Sequence, residues 1–337
     1  MTDRSLRSMR VLTIILILTG VWPSGALAQV YRLAELNTEQ IRALDREKTV
    51  ILLPGGIMEQ HGPYLPSFAD GYFNERVTAD LATAIARRPG WAAVIFPVIP
   101  LGASGANDVG GKFTFPGTYV IRPETLRAVF MDLATEVGDQ GFRWVFLIHA
   151  HGAPAHNRAL DEAGEYFRDT FGGRMIHLAG LDRGQDPVFD AVLTSAVTKE
   201  ALAENGLDMH AGLIETSLMM ALRPDLVAAA VAGAPSLGAR ELPDLFRVAS
   251  RPDWPGYLGA PRYATPDLGR RLIDAESGSL VALALRLLDG QTDERQMPRS
   301  ADLAQNPAVA KALEPAFQRD AAIARRQQEW LATRGKR

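Results

Sequence analysis

Three short runs constrain the fold most: Thr49–Pro54 (TVILLP), Ala92–Leu101 (AAVIFPVIPL) and Arg143–Ile148 (RWVFLI) are apolar almost throughout, not at every second residue. A strand with one face in water alternates polar and apolar side chains, whereas an unbroken run has both faces covered. Met175–Leu178 is a shorter run of the same kind. Helical patterns separate these runs. They cover Asn74–Arg87, Pro123–Asp139 with proline at a first helical position, Asn157–Thr170 before Gly172-Gly173, and Asp190–Asn205 before Gly206. Strands alternating with helices predict an α/β protein, a three-layer α/β/α arrangement around a mainly parallel sheet. Pro235–Asp267 is rich in proline and glycine and reads as a long surface excursion, after which Leu268–Leu288 returns to helix. The tail, residues 304–337, is charged and helical and is expected to pack on the domain or on a neighbouring subunit. No internal repeat or linker divides the chain, so one domain is expected.

The first 28 residues read as an address. Arg4, Arg7 and Arg10 precede the apolar run Val11–Val21, Trp22-Pro-Ser-Gly25 breaks it, and Ala26-Leu-Ala28 supplies the small residues a signal peptidase reads. The run is about 11 residues long against the roughly 20 a membrane-spanning helix needs, so cleavage before Gln29 is expected over a retained anchor. Residues 29–337 then form a periplasmic or secreted chain of 337 − 28 = 309 residues, with no membrane contact after cleavage. Loss of three Arg and one Asp takes the net charge from 36 − 39 = −3 to 33 − 38 = −5, which gives no electrostatic reason to bind nucleic acid.

With no cysteine among 337 residues, a disulfide framework, a thiolate metal site and a cysteine nucleophile are all excluded. Any metal must sit on His, Asp and Glu, and these residues gather where strands end. In an open parallel sheet ligands bind at the carboxyl edge of the strands. After the first run come Glu59 and His61, two apart and so on one side of an extended chain, followed by Asp70. The Arg143–Ile148 run leads into His149-Ala-His151, and later comes His210-Ala-Gly-Leu-Ile-Glu215. Each residue has a plainer reading: Asp70 as a helix N-cap, a strand-end histidine as a hydrogen-bonded core residue, Glu215 as a first-turn acid. Five of the six histidines nevertheless fall in or just after these segments, at 61, 149, 151, 156 and 210, which favours a site. His177, within a strand run, reads as structural.

Glu59-Gln-His-Gly-Pro-Tyr-Leu-Pro66 with Asp70 beyond resembles the E-x-H-G-x-H-L-P…D signature of the creatininase (creatinine amidohydrolase) family. Phe115-Pro-Gly-Thr118 is similar to its F-P-G-T segment, His149–Pro154 stands where it has N-G-H-G-G-N, and His210–Ser217 is similar to H-A-G-E-x-E-T-S, all in register over residues 45–230. The resemblance implies a creatininase-like fold, a homo-oligomer (family members form hexamers), and a hydrolase with two divalent metals per subunit, Zn, Mn or Fe. Carried over by position, Glu59 and His61 each serve one metal, Asp70 bridges both and His151 completes the first. His210 is then the general acid/base, expected near its ordinary pKa, and Glu215 a metal ligand or orienter beside it. Carboxylate and imidazole ligands suit such metals, which activate water and polarise a carbonyl.

The departures are specific. Creatininase has a second-metal Glu where this chain has Ala153, which leaves Glu215 as the substitute. Tyr64 replaces the second His of the first motif, Leu213 an acid, and His149 an Asn; His149 and His156 are candidates for outer-sphere partners. No tryptophan lies between Trp144 and Trp254 to close over creatinine, which argues against creatinine itself. The leading expectation is an exported metal-dependent hydrolase of an amide or cyclic amide C–N bond in a small molecule, working through a binuclear metal-activated water. The alternative is a non-catalytic or single-metal periplasmic binding protein that keeps the fold, and the approach of Glu215 to the other donors discriminates the two. A serine hydrolase lacks its G-x-S-x-G elbow, and Gly55-Gly56 lacks a phosphate-binding continuation.

Overall fold

A computed structural model describes residues 29–181 and 186–334, so the expected leader, residues 1–28, lies outside the described residues. Five strands, β1 (Gln29–Arg32), β2 (Thr49–Pro54), β3 (Ala92–Ile95), β4 (Trp144–Ile148) and β5 (Arg174–His177), form one sheet in the order β1-β3-β2-β4-β5. All neighbours are parallel, and Val50 of β2 pairs with Ala93 on one side and Trp144 on the other. The helices are α1 (Thr38–Arg42), α2 (Ala69–Ala86), α3 (Pro123–Asp139), α4 (Pro154–Phe171), α5 (Pro187–Ala196), α6 (Lys199–Asn205), α7 (Leu213–Leu222), α8 (Leu242–Ala249), α9 (Pro266–Leu288) and α10 (Pro307–Arg334).

The unbroken apolar runs are explained by two cores, one on each face of the sheet. Val50, Leu52, Phe146 and Ile148 cluster with Val77 and Leu81 of α2 and Leu283 of α9. Ile51, Leu53, Val145 and Leu147 cluster with Phe130 of α3 and Leu160 of α4. Every residue of β2 is buried. A fully buried apolar side chain of this size contributes about 1.5–3 kcal/mol of transfer free energy, so both faces of the sheet are held mainly by apolar packing.

Several boundaries move. β1 escapes a reading by apolar pattern because three of its four residues are exposed. β3 stops at Ile95 where the sequence pattern runs to Leu101, since Pro97 and Pro100 have no N–H for the ladder. Helix α2 begins at Ala69, five residues before the expected Asn74, and Gly71 in its first turn lies where a Cβ would strike the Phe68 ring. The expected helix Asp190–Asn205 is two, because Asp186 and Thr198 each cap a separate start. The stretch Pro235–Asp267 is no mere surface excursion: it contains α8, buries Trp254, Tyr257 and Leu258, and Leu258 N–H donates to the His210 carbonyl at 2.8 Å. In the tail, only Val309, Leu313 and Ala316 of α10 are buried.

β2 has its successor β3 on one side and β4 on the other, so progress across the sheet reverses at β2. Loops leaving the carboxyl ends of β2 and β4 diverge there and open a crevice, the usual ligand position in such sheets. Those loops carry Glu59, His61, His149 and His151.

Candidate metal centre

The crevice gathers all six side chains that the sequence singles out. Glu59 and His61 arrive from the loop after β2, Asp70 from the first turn of α2, His151 from the loop after β4, and His210 and Glu215 from the start of α7. Asp70 caps nothing: the N-cap is Phe68, which leaves the carboxylate for the crevice. His61 Nε2 lies 3.2 Å from Asp70 Oδ1 and 3.6 Å from Glu215 Oε2. His151 Nδ1 lies 3.2 Å from Glu59 Oε2 and 3.3 Å from Asp70 Oδ2, and His210 Nδ1 lies 3.9 Å from Glu59 Oε1. Three overlapping triads, Glu59–His61–His210, Glu59–Asp70–His151 and His61–Asp70–Glu215, each hold their donor atoms within 4.8 Å of one another. Glu59, His61 and Asp70 each belong to two triads, and Asp70 alone touches both His61 through Oδ1 and His151 through Oδ2.

Backbone carbonyls fix how the imidazoles face. His61 Nδ1 donates to the Glu59 carbonyl at 3.0 Å, His151 Nε2 to the Ser104 carbonyl at 2.9 Å, and His210 Nε2 to the Gln60 carbonyl at 2.7 Å. The Gln60 amide nitrogen also lies 3.1 Å from His210 Nε2, but the carbonyl can only accept, so that ring nitrogen carries the proton. Each ring therefore turns its other nitrogen, a lone pair, toward carboxylate oxygens. Imidazoles oriented by carbonyls are the usual outer support of metal-ligating histidines. Lone pairs facing lone pairs inside a protein need a cation between them.

Left to the side chains alone, that cation is a proton. Burial alone would raise the Glu59 carboxyl, but His151 and His210 hold it down at about 2. Burial would lower His61, yet its hydrogen bond to Asp70 and the charge of Glu215 lift it to about 10. His151 is likewise raised, against burial, by Glu59 and Asp70. The Asp70 carboxyl is pulled far below its usual range by its two histidines, although burial opposes them. Burial pushes Glu215 up to about 7. His210 departs from the sequence expectation of an ordinary pKa: burial holds it down near 4 and so keeps it neutral.

The loop after β3 templates the site, a role no motif flagged. Ala106 N–H donates to Glu59 Oε1, and Ser104, at a left-handed φ of 64°, turns its carbonyl to His151. His156 anchors that loop, accepting the Ala103 N–H on Nδ1 at 3.2 Å. His149 packs its ring on Gly55, where any Cβ would collide with it, and its carbonyl accepts from His177 Nε2 at 2.9 Å. His149, His156 and His177 are fully buried histidines outside the three triads. Ala153 is the N-cap of α4, and Glu215 is the carboxylate that reaches the cluster instead. Two cavities flank Glu215: one reaches Glu59, His151 and His210, the other reaches Asp70.

A parallel α/β sheet with buried carboxylates and carbonyl-oriented imidazoles at its switch point defines a candidate divalent-metal site by its donor chemistry. The sequence profile described as creatinine amidohydrolase matches residues 34–284, and the chain belongs to the creatininase family. It is 31% identical over 248 residues to the mycofactocin precursor peptide peptidase of Mycobacterium ulcerans (strain Agy99), covering 71% of this chain and 86% of that protein. It is 30% identical over 190 residues to the creatinine amidohydrolase of Pseudomonas putida, covering 53% and 66%. Among solved structures, a mutant creatininase superposes with a TM-score of 0.55 at 26% identity, covering 77% of this chain and 98% of its own. A structure titled "Creatininase Mn" gives 0.53 at 25% identity, covering 77% and 98%. The protein is a metal-dependent amidohydrolase of this family.

Proposed function

We propose that the protein is an exported hydrolase that cleaves the C–N bond of a small amide or cyclic amide at a centre of two divalent metals. Glu59, His61, Asp70, His151 and Glu215 would hold them, with Zn, Mn or Fe all compatible with an oxygen–nitrogen donor set. One observation carries the reading: two imidazoles, His61 and His151, each tied by one nitrogen to a backbone carbonyl, aim their other nitrogen at buried carboxylates. Asp70 Oδ2 adds a buried oxygen without a hydrogen-bond partner. Bound there, the metals supply Lewis acidity, polarising the amide carbonyl and making a water acidic near neutral pH.

His210 would move the proton. It lines a cavity with Glu59 and His151, its Nε2 is committed to the Gln60 carbonyl, and Nδ1 is the uncommitted nitrogen. Because burial keeps the ring neutral, Nδ1 can accept a proton from the attacking water. The imidazolium so formed is a strong acid, suited to protonating the departing nitrogen. Glu215, held by the Ala211 N–H, lies beside it at the junction of the two cavities. The relatives are by name a peptidase and an amidohydrolase, both of which break amide C–N bonds. The binding-protein alternative was motivated by Ala153 and Leu213, and the 3.6 Å approach of Glu215 to His61 removes most of that motivation.

Export rests on the residue pattern of 1–28, and no helix among the described residues is long and apolar enough to cross a membrane. A homo-oligomer fits Phe317, Trp330 and Leu331, large apolar side chains exposed along α10. Screening the purified protein against small amides, lactams and short peptides, with and without chelator, tests the catalytic reading. Chelator-sensitive release of an amine is expected; turnover of none, or turnover indifferent to chelator, would overturn it.

A further inference from the structure

The cavity that Glu59, His151 and His210 line has walls that fit one kind of substrate. Its titratable lining side chains are Glu59, His151, His210 and Glu215, all of them members of the cluster. Among the described residues that line it there is no arginine or lysine to hold a substrate carboxylate and no separate acid to hold an amine. The remaining side chains are mainly apolar, with Val109, Met209, Phe246, Leu303, Val309 and Leu313 among the large ones. Met209 and Leu303 are 44% and 39% exposed, so this lining offers open apolar surface whose burial against an apolar group is favourable.

Four segments carry most of this wall: the loop after β3 with Val109, the approach to α7, helix α8, and the chain from Ser300 into α10. The last carries Leu303, Val309 and Leu313, and it lies beyond residue 284, where the family match ends. The outer turns of α10 stand clear of the core, whereas its first turns bury Val309 and Leu313 against the cavity. The C-terminal segment thus closes a side of the site that the matched region does not supply.

We infer that the C-terminal segment 300–313 makes an apolar subsite against the metal cluster, selecting uncharged amides whose group next to the scissile bond is aliphatic or aromatic. The inference rests on the amide-hydrolase reading above and names its substrate class. In the reaction, the carbonyl carbon–nitrogen bond breaks, a carbon–oxygen bond forms from water, and the displaced proton goes to the nitrogen, giving a carboxylic acid and an amine. Burying the adjacent apolar group in the subsite holds the carbonyl at the cluster. A charged group there would lose its hydration without gaining a partner.

Alkyl hydroxamates separate the subsite from the centre, because the hydroxamate head chelates divalent metal whatever its tail. Isothermal titration of the Mn-loaded full-length protein would compare acetohydroxamate, butanohydroxamate, hexanohydroxamate and the monohydroxamate of succinic acid. Affinity should rise about fourfold for each methylene buried, and the succinate compound should bind more weakly than butanohydroxamate. Leu313→Asp should flatten the dependence on chain length. If all four compounds bind with similar affinity, the subsite is refuted and the metal centre stands. If none binds the Mn-loaded protein, the metal-centre reading fails and takes the subsite with it.

Discussion

Raising the pH should drive apart the thermal stabilities of the chelated and the metal-loaded protein. With protons as the only cations in the cluster, His61 is lifted from 6.5 to about 10 and His151 also lies well above 6.5. Both imidazoles therefore stay protonated in the folded chain above pH 6.5, where the unfolded chain releases those protons. A histidine raised in this way stabilises the fold fully below its unfolded pKa and loses that contribution as pH climbs toward the folded one. Between the two values each retained proton costs ~1.4 kcal/mol of stability per pH unit, so the pair costs ~2.7 kcal/mol. Divalent cations replace both protons, and the loaded protein lacks this slope. For the 337 − 28 = 309 residues that the proposed export would leave, unfolding entropy is roughly 0.65 kcal/mol per kelvin, which converts the difference to ~4 °C per pH unit. Scanning calorimetry with EDTA or with Mn, at steps from pH 6.5 to 8.5, reads the gap in Tm directly. The gap should widen steadily with pH. A constant or narrowing gap would refute the claim that metal and protons compete for the same imidazoles.

Four further outcomes follow from the geometry. His210→Asn should lower kcat by about 10²–10⁴-fold while retaining bound metal, read by paired kinetics and elemental analysis, because His210 is assigned the proton and not a metal. His156→Leu removes the acceptor of the buried Ala103 N–H, which should cost about 1–3 kcal/mol in denaturant unfolding. By loosening the loop that orients His151, the same change should weaken metal affinity by about 10–100-fold in a competition titration. Phe130→Ala, at a fully buried position between the sheet and its helices, should cost about 3–5 kcal/mol by the same unfolding assay and leave metal content unchanged.

What was legible in the sequence depended on how local its cause is. β2 and α3 match their expected bounds because both are set by their own residues, an apolar run in one case and an initiating proline in the other. β1 carries no such signal, since an exposed edge strand needs no apolar pattern. The candidate donors were readable because the strand ends that carry them are short motifs in register. Their surroundings were not. Thr118 accepts the Gln60 N–H across 58 positions of sequence, and the Ser104 carbonyl reaches His151 across 47. The depressed pKa of His210 comes from burial, under a segment around Leu258 that composition alone marks as surface. The wall built by Leu303, Val309 and Leu313 is likewise a tertiary event, invisible in a tail whose charge and periodicity predict only a helix.

The central claim is that three carboxylates and carbonyl-oriented imidazoles form a divalent-metal centre. Elemental analysis of natively purified protein, wild type beside His151→Ala and Glu215→Gln, tests it most directly. Two equivalents of Zn, Mn or Fe per chain are expected in the wild type, with a clear loss in each variant. Wild-type protein that stays metal-free after native purification and takes up no metal on titration would contradict it.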